Sequence, residues 1–126
     1  MNESLRINGT LADITEGAVH IGVEECYLHC AKAFLRSDFW AANPCGEAPS
    51  RPEDFAKAVQ WLALGTLDTN GRADVSPKGD PAGKLGRFDG QRRLFADRPG
   101  NRRTDSFRNI LVQPRVAAQL LLPGSP

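Results

Sequence analysis

The sequence predicts a mainly β domain, an antiparallel barrel with helices at its periphery. Three observations carry that expectation. Short segments of alternating or apolar residues recur along the chain, turn signals of the hairpin kind separate most of them, and only three stretches carry helical spacing. About seven strands and three helices follow, which is not the strand–helix alternation of a doubly wound sheet. With 126 residues the chain has room for one such domain rather than two.

The first strand is predicted over residues 5–14, where apolar and polar residues roughly alternate, and Gly17 closes it. A second short strand covers 18–23, with His20 between Val19 and Ile21. From Glu24 the pattern changes: Cys26, Tyr27, Cys30, Ala33 and Phe34 recur at three- and four-residue intervals, and Ala31, Lys32, Ala33 and Leu35 are good helix formers. The spacing predicts a helix over 24–36. Residues 43–52 hold three prolines and a glycine and cannot form a regular element, so they read as a linker. A short helix resumes over 52–59, with Pro52 acceptable in its first turn.

The second half is richer in strands. Residues 61–67 lead through Asp68-Thr-Asn-Gly71 into a strand over 72–76, and Asn70-Gly71 predicts a type I′ hairpin turn. A second hairpin pairs 84–88 with 92–96 around Asp89-Gly90. A helix over 103–112 is expected to bury Phe107, Ile110 and Leu111, with Pro114 as its stop. Residues 115–122 form a final apolar strand. Barrel closure requires the first-half strands, 5–23, to pair with strands of 61–122, within one chain or between two, so that no long edge stays exposed.

Composition narrows the function classes. The net charge of +1 is too small for the basic footprint of a general nucleic-acid binder. No apolar run approaches the ~18 residues of a membrane span, and the first residues lack a signal peptide's basic start, so a cytoplasmic location is expected. The charge is uneven, however: residues 84–115 hold nine Lys or Arg against three Asp, which suits a phosphate-bearing small ligand. Cys26, Cys30 and Cys45 match no common zinc spacing. A helix would bring Cys26 beside His29 and Cys30, but a metal needs a further ligand, and reduced, partly buried thiols are the plainer expectation.

Two stretches carry candidate chemistry. In the first, residues 95–109, a strand ends in a Gly-containing loop and Arg102, Arg103 and Ser106 fall in the first turn of a helix. Unpaired N–H groups, guanidinium groups and a hydroxyl at a helix start are what a phosphate monoester requires. The plain alternative is an N-capped helix with solvated arginines. In the second, Asp74-Val-Ser-Pro-Lys-Gly-Asp80, Ser76 and Lys78 follow a strand, and Gly79 lets backbone approach a flat ligand. The alternative there is a polar turn. No hydrolytic triad, paired catalytic carboxylates or nucleotide-binding glycine loop is present, so an enzyme built on this chain would take its reactivity from a cofactor.

These same stretches, with Pro114-Arg-Val, resemble the N-terminal half of pyridoxamine-5′-phosphate-oxidase-like flavoproteins, in a bacterial subfamily reading D-V-S-P-R-G-D-P and D-R-x-G-N-N-R-x-D-S-L-R-N-I-L. The likeness covers about residues 52–124. It implies an FMN-binding antiparallel split β-barrel, a homodimer with the flavin at the subunit interface, and oxidoreductase activity on an unspecified small molecule. It implies cofactor contacts from Ser76, Pro77, Lys78 and Gly79 along the isoalloxazine ring, and from Asp97, Arg98, Asn101, Arg103 and Ser106 around the phosphate. Lys78 stands where the subfamily has Arg, which loses the bidentate fork, and Arg102 where it has Asn.

Residues 1–42 resemble the C-terminal half of the same barrel, residues 43–51 the linker, and 52–126 the N-terminal half, so the halves stand in inverted order. Either a circular permutation or a piece of two tandem barrels gives that order. His29, Lys32, Arg36 and Trp40 would then approach the flavin from the other half, or simply belong to a helix packed on the barrel. A deazaflavin cofactor, and a non-catalytic barrel serving binding or assembly, are the alternatives the resemblance leaves open.

Overall fold

Residues 3–41, 47, 49–100 and 103–122 are described by a computed structural model of the chain. Their strand pairings are all antiparallel. The chain divides into two compact units, Met1–Ala31 and Lys32–Pro126.

The first unit is a long hairpin. β1 (Glu3–Thr15) and β2 (Ala18–Cys30) are joined by a two-residue turn in which Gly17 takes φ +82°, a conformation open to glycine at no steric cost. The register shifts twice, leaving Glu24 unpaired on β2 and Ala12 unpaired on β1. Each bulge inverts the side-chain parity of its strand. With both in place, Leu5, Ile7, Leu11 and Ile14 of β1 share one face with Val19, Ile21, Val23, Cys26 and Leu28 of β2. The opposite face is polar and laced by hydrogen bonds: Asn8 Nδ2 donates to Glu25 Oε2 at 3.0 Å and Thr10 Oγ1 to Glu24 Oε1 at 2.6 Å.

The helix expected over 24–36 is therefore mostly strand. Helical spacing of the apolar residues competes with six further rungs, from Asn8↔Glu25 to Glu3↔Cys30, and the rungs prevail. Where pairing ends, a helix does form, as α1 (Lys32–Arg36). On the strand, Cys26 and Cys30 share a face and His29 points to the other, so the helical juxtaposition of these three residues does not arise. Among the described residues no three His, Cys, Asp or Glu side chains cluster as metal ligands.

In the second unit, α2 (Pro52–Ala58) starts on Pro52, with Glu53 and Asp54 in its first turn, as the helix dipole favours. β3 (Trp61–Leu67) is the centre of a three-stranded sheet, flanked by β4 (Ala73–Gly79) and β7 (Val116–Leu121). Strict alternation buries Leu62, Leu64 and Thr66 on one face of β3. Leu62 and Leu64 join Val59 and Leu85 as the core, covered by Phe55 of α2, Phe95 and Leu120. Fully burying side chains such as Leu62 and Leu85 contributes about 1.5–3 kcal/mol each. β5 (Gly86–Asp89) and β6 (Arg92–Phe95) form a separate hairpin whose loop starts on Gly90 at φ +57°, and α3 (Asp105–Val112) packs on β3 and β4.

The mainly β, antiparallel class is as expected, and two finer expectations are corrected, the type of the Asn70-Gly71 turn and the residues that α3 buries. Among the described residues seven strands form three sheets, none closed into a barrel: β4 and β7 pair only with β3, β5 only with β6, and β1 only with β2. Closure needs each strand paired on both sides; the ladders among the described residues do not include the pairing expected, within one chain or between two, of residues 5–23 with 61–122. The Asn70-Gly71 turn is not type I′, since only Gly71 has positive φ. Asp68 instead holds the loop, its Oδ1 accepting from the Asn70 and Arg72 N–H groups at 2.7 and 2.8 Å. Finally, α3 leaves Phe107 45% and Leu111 85% exposed, with Ile110 half-buried; the face it lays on the sheet is polar. The linker over 43–52 lies largely outside the described residues.

Candidate functional site

Period-two alternation puts Asp74, Ser76 and Lys78 of β4 on one face, opposite Thr66, Leu64 and Leu62 of β3 in turn. α3 lies over the Asp74–Thr66 end of this face. Ser106 Oγ donates to Asp74 Oδ2 at 2.9 Å, and Asn109 Nδ2 donates to Thr66 Oγ1 at 3.1 Å. Thr66 is 2% and Ser106 8% exposed, so buried hydrogen bonds rather than apolar contact fix the helix there.

At the other end of the face, the Lys78 side chain is 16% exposed. Its Nζ lies 3.4 Å from Asp97 Oδ1 and 5.7 Å from the centre of the Phe107 ring. One residue further, Gly79 runs so close to the Ala33 carbonyl of α1 that a Cβ would overlap it. Asp80 follows, its side chain 6% exposed, and its Oδ2 accepts from Arg98 Nε at 2.7 Å. The loop that carries Asp97 and Arg98 is held from a third side by Arg36, whose Nη2 donates to the Pro99 carbonyl at 2.6 Å.

The end of β4, the loop after β6 and the start of α3 therefore meet at one place. Of the sequence-predicted residues, Lys78 and Asp97 touch each other. Ser76 and Pro77 sit beside them on β4, Gly79 is packed against α1, and Arg98 is tied to Asp80. Arg103 precedes α3, with its Nε 2.8 Å from Asp105 Oδ2. Asn101 and Arg102 lie outside the described residues. Asp74, Asp80 and Thr104 belong to the same junction and were not singled out from the sequence; Arg36, expected near a flavin, and Phe107, expected in the core, belong to it as well. The signal for Asp74 was the alternation Asp74–Ser76–Lys78 itself.

Chemically, three cations of this junction face a carboxylate, Lys78 with Asp97, Arg98 with Asp80 and Arg103 with Asp105, and Arg36 faces the Pro99 carbonyl. Arg98 braces a buried acid, whereas the Asp97 and Asp105 side chains are 62% and 41% exposed. Thr104, the N-cap of α3, makes no side-chain capping bond of its own. The Ser106 hydroxyl, by contrast, is committed to Asp74. No family model matches this chain, and no curated protein or solved structure matches it.

Proposed function

We propose that this chain is an FMN-binding protein of the pyridoxamine-5′-phosphate-oxidase-like kind, a flavin-dependent oxidoreductase working as a homodimer, with its open sheets closed into a split barrel and its flavin between the subunits. The observation that carries the proposal is the meeting of Lys78 and its β4 neighbours with the Asp97 loop and the start of α3. A flavin mononucleotide needs a flat strand edge for its ring and a basic, donor-rich helix start for its phosphate, and both lie at this junction.

The donor set fits the group in kind. Arg103, the Thr104 hydroxyl and the first N–H groups of α3 would hold the phosphate, and Ser76 to Lys78 the ring, with Lys78 exchanging Asp97 for the ligand, while the close approach at Gly79 is taken by α1. Ser106 would position the helix through Asp74 instead of meeting the phosphate. When bound, the flavin supplies the hydride chemistry; the residues named here bind and orient it.

Absorbance of the purified protein and quenching of FMN fluorescence on titration test the reading directly. Lys78→Ala and Arg103→Ala are each expected to weaken FMN by about tenfold or more, since each removes a charge-assisted contact. A colourless protein that leaves FMN fluorescence unchanged would overturn it, and a parallel titration with a deazaflavin decides between the two cofactors. A second reading has its own support: the pairing of Lys78, Arg98 and Arg103 each with a carboxylate suits a non-catalytic module in which the charges hold the loop. That module would bind neither cofactor.

A further inference from the structure

Helix α3 meets the sheet mainly through polar residues, which leaves its one aromatic side chain, Phe107, to be accounted for. Ser106 and Asn109 hold the helix by hydrogen bonds to Asp74 and Thr66. Phe107 is not part of the core formed by Val59, Leu62, Leu64 and Leu85, nor among the apolar side chains packed against it. Its ring lies instead 5.7 Å from Lys78 Nζ, centre to nitrogen. Lys78 stands four residues beyond Asp74 on β4, about 13 Å along the strand. A helix pinned at Asp74 reaches that ammonium only through a long side chain.

We infer that Phe107 is a positioning residue for Lys78: its ring holds the ammonium at the candidate site, so that Lys78 directs an N–H at a single acceptor on the ligand's flat ring. What the ammonium meets rests on the flavin reading above; how it is held does not. Two groups hold Lys78 Nζ, the Asp97 carboxylate at 3.4 Å and the Phe107 ring. They differ in permanence. Asp97 is largely exposed, an ion pair open to water contributes little, and this carboxylate is the partner that the ligand replaces. The Phe107 ring is carried on backbone pinned on either side by Ser106 and Asn109, with Ser106 and Thr66 buried. The Lys78 side chain is itself only 16% exposed, a setting in which a cation–π contact gains strength. The ring is therefore the hold that remains once Asp97 is displaced.

The held charge is of a particular kind. A lysine ammonium is a compact point charge, without the planar fork by which arginine grips a phosphate or carboxylate. With one side turned to Asp97 or its replacement and another to the ring, it suits one acceptor, such as a carbonyl oxygen or ring nitrogen at the edge of a flat heterocycle. The phosphate falls to Arg103 and Thr104 at the start of α3. Phe107 thus acts, through Lys78, on recognition of the ring and not of the phosphate.

The test uses the full chain and two variants, Phe107→Leu, which removes the ring, and Phe107→Tyr, which keeps it. In cofactor-free protein, proton NMR should show the Lys78 ε-CH₂ signal upfield of those of Lys32, Lys57 and Lys84, through the ring current of Phe107. Phe107→Leu should abolish that shift and Phe107→Tyr retain it. FMN, and riboflavin as the same ring without the phosphate, are then titrated by flavin fluorescence. Phe107→Leu should weaken both by a similar factor, about fivefold. Phe107→Tyr should weaken neither, and Arg103→Ala should weaken FMN alone.

A Lys78 signal that Phe107→Leu leaves in place overturns the inference. So does Phe107→Tyr behaving like Phe107→Leu, which would make side-chain volume the cause. Loss of the shift with both flavins bound as before also overturns it, as does a loss of FMN affinity without a loss for riboflavin, which would place Phe107 with the phosphate. Failure of the flavin reading looks different: the unaltered protein binds neither flavin, while the Lys78 shift and its loss in Phe107→Leu persist.

Discussion

Replacing Gly79 with Ala probes the contact that positions the strand end of the candidate site. Gly79 is buried, and its φ is not in the left-handed region, so the demand for glycine is one of space. A Cβ built there would lie 2.7 Å from the Ala33 carbonyl carbon, 3.1 Å from its Cα, and nearer still to its oxygen. All three are backbone atoms and cannot rotate away. Ordinary contact requires α1 and β4 to separate by on the order of 1 Å or more.

That separation strains the packing of Phe34 on Trp61, whose rings are 5.7 Å apart, and the Arg36–Pro99 hydrogen bond beyond it. Overpacking of this kind costs about 1–3 kcal/mol, and a backbone obstacle belongs at the upper end. With a typical urea dependence, the midpoint should fall by about 1–2 M, followed by tryptophan fluorescence. Gly71→Ala is the matched control: it has φ +79° and open space around it, so it should cost about 1–2 kcal/mol through conformation alone and leave the fluorescence of the folded state unchanged. If Gly79→Ala loses less than about 0.5 kcal/mol, the close approach does not constrain the fold and the reasoning fails.

Other outcomes follow from the same geometry. Arg98→Ala strips a buried carboxylate, Asp80, of its partner and should cost about 1–3 kcal/mol in urea unfolding, whereas Arg103→Ala breaks a half-exposed pair and should cost within about 0.5 kcal/mol; equal losses would contradict the burial difference. Ser106→Ala should cost about 1–2 kcal/mol, and in a double-mutant cycle with Asp74→Ala most of that loss should disappear. The backbone N–H of Arg72, with that of Asn70, holds the Asp68 carboxyl below its ordinary range. A lowered folded-state value means that this brace is present above the unfolded-state pKa and is lost as pH falls through the folded one. An NMR titration should accordingly show the Asn70 and Arg72 amides following a carboxylate more acidic than a free Asp; a midpoint at or above the free value would refute the assignment.

Much of the fold was legible because its signals are local. Gly17, Gly71 and Gly90 marked the three hairpin loops, Pro52 a helix start, and the alternation in residues 61–67 the central strand with its buried Leu62 and Leu64. The hairpin's two bulges were legible as well, had parity been followed: apolar positions run odd from 5 to 11, then even at 14, and odd from 19 to 23, then even at 26 and 28. A phase jump inside an alternating run marks one inserted residue. Reading 24–36 by helical spacing missed it, because a few apolar residues fit either period and only the pairing partner, six rungs of β1, decides between them.

The candidate site divides in the same way. The residue types and their clustering at 74–80 and 97–106 could be read from the sequence alone, since chemistry is carried by composition and short spacing. Which cation faces which carboxylate, that Ser106 is bonded to Asp74, and that α3 turns Leu111 outward could not be read there. Those are contacts between residues tens of positions apart, set by how α1, α3 and the loop after β6 close around β4. The sequence thus determined an antiparallel β protein with a basic, hydroxyl-rich junction. Tertiary structure alone decided that residues 24–30 pair as a strand and that a polar face of α3 lies on the sheet, because the register and burial of long-range pairs are settled only when the partners meet.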